Sequence, residues 1–177
     1  LFSIFTQHVR RPTESLHDNK QIFSREDLEM EIERKFLVSV LPENYDHHSS
    51  HQIEQAYLST DPVVRIRKED DQYYLTYKSS GLLAREEYNL PLNQASYEHL
   101  LTKADGIVLT KQRFLIPLPG TSCTAELDIF SGHYKGLMLV EVEFETEEQA
   151  NAFVPPEWFG KDVTFSGEYQ NSRLASI

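Results

Sequence analysis

One pattern limits this chain more than any other: from Glu31 onward, charged residues recur in i, i+2 pairs with apolar residues between them. In a β-strand, side chains at i and i+2 point to the same face. Glu31, Glu33 and Lys35 therefore share one face, while Ile32, Phe36 and Val38 share the other. The same parity sets Arg65 with Arg67, Thr76 with Lys78, Arg85 with Glu87, Lys111 with Arg113, Glu126 with Asp128 and Glu141 with Glu143. The opposite faces of these segments are largely apolar. One such pair is a solvated edge of an ordinary antiparallel sheet. Seven together, with the signs sorted by strand into Arg/Arg, Lys/Arg, Glu/Asp and Glu/Glu, are harder to assign to plain solvation.

That sorting has a physical cost. Like charges about 5–7 Å apart repel, and the repulsion grows as water is excluded. Carboxylate pairs persist if a hard divalent cation neutralises them through oxygen. Basic pairs persist if a polyanion does, Arg by bidentate hydrogen bonds and Lys as a point charge. A closed barrel with these faces inward supplies both needs. Its outward apolar faces then require cover.

The segments 31–38, 51–59, 63–69, 73–78, 85–90, 107–115, 123–130 and 137–145 read as strands. Turn residues separate them, as at Thr60-Asp61-Pro62, Glu69-Asp70-Asp71 and Ser131-Gly132. Short connections suit antiparallel neighbours. Helices are expected at 93–104 with Asn93 as cap, at 146–155 opened by a Thr146…Gln149 capping box, and at 168–176. The expected fold is α+β, mainly β: a closed antiparallel eight-stranded β-barrel with a charged interior and a few helices packed outside.

Residues 1–29 are polar and weakly periodic, and Met30 stands directly before the first patterned strand. The domain is therefore expected to span 30–177, with 1–29 as an N-terminal extension; a translated upstream region, a short helix and a disordered arm are all compatible with that stretch. The formal net charge of -11 argues against non-specific nucleic-acid binding. Cys123 is the lone cysteine, read as a structural thiol, and no secretory leader is legible. Together these lead to the expectation of a reducing cytoplasm and no membrane. A polar-in barrel of the outer-membrane kind is set aside because the strands are short and strongly charged. The run His47-His48-Ser49-Ser50-His51 reads as a solvated loop, Ser80-Gly81 as a hairpin turn and Trp158 as an aromatic covering the outer wall.

Glu31-Ile32-Glu33-Arg34-Lys35 resembles the opening ExExK signature of the CYTH superfamily, the triphosphate tunnel metalloenzymes. Arg65-Ile66-Arg67, Leu75-Thr76-Tyr77-Lys78, Arg85-Glu86-Glu87, Lys111-Gln112-Arg113, Glu126-Leu127-Asp128 and Glu141-Val142-Glu143 follow in that family's order. The tail through Trp158-Phe159-Gly160 is similar to the small single-domain bacterial group, whose members are tripolyphosphatase-like. The resemblance implies metal-dependent hydrolysis of a linear triphosphate, inorganic tripolyphosphate in the first place, to pyrophosphate and phosphate. It implies Mg²⁺, with Mn²⁺ as an alternative, held by Glu31, Glu33, Glu87, Asp128, Glu141 and Glu143. It implies a triphosphate held by Lys35, Arg65, Arg67, Lys78, Arg85, Lys111 and Arg113. Lys78, Tyr57 and Lys111 are the candidates for catalytic roles, Tyr57 with Lys78 in orienting water; a plain packing role for Tyr57 stays open. A class IV type adenylate cyclase, a thiamine or nucleoside triphosphatase and a non-catalytic polyphosphate-binding module are the alternatives. The apolar outer faces leave room for a homodimer.

Overall fold

The computed structural model describes residues 29–80 and 82–176. The expected extension therefore lies, but for Glu29, outside the described residues, as does Gly81 of the expected hairpin turn. Eight strands and three helices follow in the order β1 (Glu29–Leu37), β2 (Ser50–Thr60), β3 (Val63–Glu69), β4 (Gln72–Lys78), β5 (Ala84–Leu92), α1 (Gln94–Leu101), β6 (Asp105–Pro117), β7 (Thr124–Phe130), β8 (Met138–Glu143), α2 (Glu147–Ala152) and α3 (Asn171–Ala175). The architecture is mainly β, with all strand pairs antiparallel, as the alternation and short turns imply. The strands pair in the order β1-β5-β4-β3-β2-β6-β7-β8, and β1 pairs with β8 as well as with β5.

The register carries the charge pairs into alignment. Glu33 and Lys35 of β1 stand opposite Glu143 and Glu141 of β8. Glu126 of β7 stands opposite Glu141, and Arg113 of β6 opposite Asp128. Lys78 of β4 stands opposite Glu87 of β5, and Arg65 of β3 opposite Thr76. A slip of one residue in any strand would send its whole charged set to the other face.

The outward faces are covered in two places. Ile32, Phe36, Phe114, Leu127, Val140 and Val142 form one buried cluster beneath α2 and the segment carrying Phe153, Trp158 and Phe159. Burying a side chain such as Phe36, which is 1% exposed, contributes about 2–3 kcal/mol. Trp158 packs edge-on against Phe159 at 4.4 Å, on the outer wall as expected. Arg34, the outward residue of the opening motif, staples this cover down. It donates to the carbonyls of Ala150 and Phe153 at 3.1 Å each and to Asp162 at 2.6 Å, and its guanidinium lies 5.0 Å from the Phe36 ring. On the other side, Ala56 and Ile66 are buried beneath Tyr97 of α1, whose cap Asn93 accepts from the Ser96 amide at 2.8 Å.

Helix α2 is shorter than expected. It stops at Ala152 because Phe153 is already extended ahead of Val154-Pro155. Thr146 caps it by accepting from the Gln149 amide, while Gln149 reaches back to the Glu145 amide and not to Thr146 itself. Helix α3 departs further from expectation. It was expected outside, yet Leu174 and Ala175 pack with Tyr57, Leu109, Phe130 and Leu139. Leu109 shares the parity of Lys111 and Arg113, Phe130 that of Asp128, and Leu139 that of Glu141. These residues occupy the inner face, so α3 plugs one end of the interior. Gly106 permits this approach. Its φ is +72°, and a Cβ there would stand 1.9 Å from the Ala175 carbonyl oxygen.

Candidate active site

Beyond the apolar plug, the inner face opens into a cavity of about 560 Å³. Small-molecule sites typically occupy roughly 300–1,000 Å³. Glu31, Glu33, Lys35, Arg65, Arg67, Lys78, Glu87, Arg113, Glu141 and Glu143 all line it, as does Tyr57. Ten charged side chains from six strands therefore meet where parity sent them.

Two expected site residues do not line the cavity. Lys111 and Asp128 have fully buried side chains and form an ion pair with each other. Asp128 also accepts from Arg113 Nε and Nη2, both at 2.7 Å. Two adjacent buried cations need a counter-charge, and Asp128 supplies it. Asp128, expected among the metal ligands, and Lys111, expected at the phosphate, are thus placed against each other and not on the cavity lining. Burial first, and Arg113 second, pull the Lys111 ammonium down to about 8. Of the Glu126/Asp128 pair it is Glu126 that reaches the cavity. Arg85 lies in β5 opposite Glu31, but its side chain is outside the described residues.

The carboxylates and cations are interlocked. Lys78 Nζ lies 2.5 Å from both Glu31 and Glu87. Lys35 Nζ lies 2.9 Å from Glu141 and 3.5 Å from Glu33. Arg113 reaches Glu141 at 2.5 Å and also pairs with Glu126. Burial pulls Glu87 upward, but Lys78 and then Arg65 overcome it and hold that carboxyl at about 2. The same contest leaves Glu141 well below the usual carboxylate range, with Lys35 and Arg113 prevailing over burial. Glu143 goes the other way. Partial burial of its carboxyl, followed by Glu126, Glu31, Glu33 and Glu141, pushes it up to about 7. The residue as a whole stands exposed at the mouth, so solvent screens part of this effect.

Among the described residues, no group of three or more His, Cys, Asp or Glu side chains stands ready-arranged around a metal position. The donor chemistry nonetheless suits a hard cation. Five glutamates converge closely enough for four of them to raise the fifth, and these five contribute oxygen ligands only. On the basic side, burial and then Arg65 and Arg113 lower Arg67 to about 10. The Nε atoms of Arg65 and Arg67 are buried with no hydrogen-bond partner. An unmet buried donor costs about 1–3 kcal/mol.

Parity reasoning passed over several members of the site. Asn89, two residues beyond Glu87, donates to it at 2.9 Å and accepts from Thr76 at 2.7 Å; Thr76 in turn accepts from Arg65 at 3.1 Å. Glu69 lies 3.5 Å from Arg67. Each sits two residues from a recognised charge on the same strand, and that spacing was the available signal. His51, read as part of a solvated loop, lines the cavity with its Nδ1 2.7 Å from Asp70. Gln170, Asn171 and Ser172 of the plug end line it too, with no strand periodicity to announce them.

A family model described as the CYTH domain matches residues 29–170. The chain belongs to the CYTH domain family. An inorganic triphosphatase of Nitrosomonas europaea is 42% identical to this CYTH protein over 148 residues, covering 82% of this chain and 96% of the relative. An inorganic triphosphatase of Acetivibrio thermocellus is 35% identical over 152 residues, covering 81% and 92%. A crystal structure of an inorganic triphosphatase superposes with a TM-score of 0.64 at 39% identity, covering 83% of this chain and 95% of that one. Among the described residues, no helix is long and apolar enough to cross a membrane.

Proposed function

We propose that this CYTH protein is a metal-dependent triphosphatase that hydrolyses a linear triphosphate, inorganic tripolyphosphate first, to pyrophosphate and phosphate. The observation that carries the reading is the division of one cavity between converging carboxylates and buried guanidinium groups with unmet donors. The names of its relatives support the same chemistry.

Arg65, Arg67 and Arg113, with Lys35 and Lys78, hold the phosphoryl oxygens; the unpaired Nε donors of Arg65 and Arg67 take oxygen acceptors that protein groups do not supply. Glu31, Glu33, Glu126, Glu141 and Glu143 hold Mg²⁺, with Mn²⁺ as the alternative. When bound, such a cation neutralises phosphoryl oxygens and acidifies a coordinated water. Lys35 pairs with Glu33 and Glu141, and Lys78 with Glu31; these carboxylates would hold the cation, and the two lysines would face the phosphoryl oxygens. Phosphoryl transfer asks chiefly for positioning and charge stabilisation, and no protein nucleophile is needed. Asp128 and Lys111 act from behind the wall by fixing Arg113. The eight strands form the wall around the site.

The domain is read as 30–177, and removal of the preceding residues leaves activity intact in this account. A reducing cytoplasm suits the single cysteine. Among the described residues, Tyr57 and His51 are the rings that line the cavity. The test is to incubate the purified protein with Mg²⁺ and tripolyphosphate, ATP or thiamine triphosphate, following phosphate, pyrophosphate and cyclic AMP. Fast phosphate release from tripolyphosphate is expected. Cyclic AMP from ATP, or tight binding without turnover, would overturn the reading.

A further inference from the structure

Thr76 is fully buried on β4, opposite Arg65 of β3 on one side and Asn89 of β5 on the other. Its hydroxyl takes part in two hydrogen bonds, with Arg65 Nη2 at 3.1 Å and Asn89 Oδ1 at 2.7 Å. Asn89 Nδ2 lies 2.9 Å from Glu87 Oε1, and Lys78 holds the other oxygen of that carboxylate at 2.5 Å. The two ends of this row fix its direction. A guanidinium offers only donors, and a carboxylate only acceptors. Asn89 therefore turns its NH₂ to Glu87 and its oxygen to Thr76. Thr76 donates its one proton to Asn89 and accepts from Arg65. All three hydrogen bonds point the same way, from cation to anion.

We propose that Thr76 and Asn89 are positioning residues that hold the Arg65 guanidinium in place for phosphoryl oxygens while keeping it apart from Glu87. The inference rests on the triphosphatase reading. Arg65 Nη2 stands 3.8 Å from Glu87 Oε1, beyond hydrogen-bonding distance. The two neutral side chains carry the hydrogen-bonded link across that gap, and aligned bonds of this kind strengthen one another. A direct Arg65–Glu87 pair would spend the guanidinium on a protein anion. The relay instead anchors Nη2 on the wall and leaves Arg65 Nε, buried without a hydrogen-bond partner, to meet an acceptor on the ligand. Arginine reads phosphate through a rigid fork, so its orientation matters as much as its charge. A Val at position 76 would keep the shape of the side chain and break the row at its centre.

The test is a double-mutant cycle of Thr76→Val with Arg65→Lys, the second of which keeps a charge and removes the fork. The readouts are kcat and KM for tripolyphosphate with Mg²⁺, Kd for tripolyphosphate without metal by calorimetry, and Tm. Thr76→Val should weaken metal-free binding and lower kcat/KM, each about tenfold, the scale of one lost hydrogen bond to a charged group. That loss should shrink clearly in the Arg65→Lys background. Thr76→Ser keeps the hydroxyl and should recover most of the loss. Asn89→Ala, at an exposed position on the lining, should lose less than Thr76→Val, because water can replace its oxygen. Equal losses with and without the Arg65 guanidinium, a Thr76→Ser protein as impaired as Thr76→Val, or no loss at all would overturn the proposal. If Thr76→Val lowers Tm too far to assay, the cycle of Asn89→Ala with Arg65→Lys decides by the same criterion. A wild-type protein that binds tripolyphosphate without hydrolysing it would defeat the functional reading alone, and the calorimetric cycle would still judge Thr76. A wild-type protein that does not bind it would overturn both.

Discussion

The inner faces of the same strands are built in two ways. Along β6, Leu109 belongs to the apolar plug with α3, Lys111 sits at the boundary, and Arg113 lines the cavity. Along β8, Leu139 is plug and Glu141 and Glu143 are cavity. One end is packed and dry; the other is charged and open. The plug carries stability, the charged end carries chemistry, and the Lys111–Asp128–Arg113 layer joins them. That division predicts which substitutions harm the fold and which harm the activity.

The joining layer should be the most sensitive. Arg113→Met strands Asp128, Glu126 and Glu141 without their shared cation. Removing one partner of a buried ionic group costs about 3–5 kcal/mol, so denaturant unfolding should show a loss of that order together with lost activity. A loss confined to activity would separate this layer from the fold. Next, Arg67→Ala should lower kcat/KM by the equivalent of about 3 kcal/mol through a lost desolvated contact, with Tm little changed. Unchanged kcat/KM would remove Arg67 from the phosphate side. Leu139→Ala, at the plug end and fully buried, should do the reverse. It should cost about 2–4 kcal/mol of stability and leave kcat/KM, measured well below its Tm, within a few-fold of wild type.

The smallest effect concerns Glu143. Its carboxyl in the folded state is raised to about 7 from an ordinary 4.5. The folded state therefore binds more protons than the unfolded state between these values, and stability falls as pH rises through that window. Glu143→Gln should abolish this slope. Relative to wild type it should gain about 1 kcal/mol at pH 8 after allowance for solvent screening, and show no gain below about pH 4. Saturating Mg²⁺ should also flatten the wild-type slope by favouring the ionised form. Parallel pH profiles for the two proteins would contradict the crowding of carboxylates around Glu143.

Parity along the strands made the face of each charge legible, because a period of two leaves no latitude once an element is a strand. It could not say how far along the inner face each residue lies. Hence Glu126 and Asp128, identical by parity, part company: one reaches the cavity and the other is buried beneath Arg113. Depth depends on strand tilt and on what fills the far end, and the filler is α3, whose five residues carry no periodic signal. Asn89 escaped notice because a neutral side chain does not display the sorting of charge that marks its neighbours. His51 escaped because, although it opens the expected strand 51–59, it was grouped with the polar run that precedes it. The outer cover was more readable, as with the Asn93 cap and Trp158.

The most direct measurement is a crystal structure of the protein soaked with Mn²⁺ and tripolyphosphate at a pH where turnover is slow, with anomalous scattering used to locate the metal. The account predicts phosphorus density against Arg65, Arg67 and Arg113, and a manganese peak among Glu31, Glu33, Glu141 and Glu143, within one cavity. A triphosphate bound on an outer face, or a metal held away from those carboxylates, would contradict it.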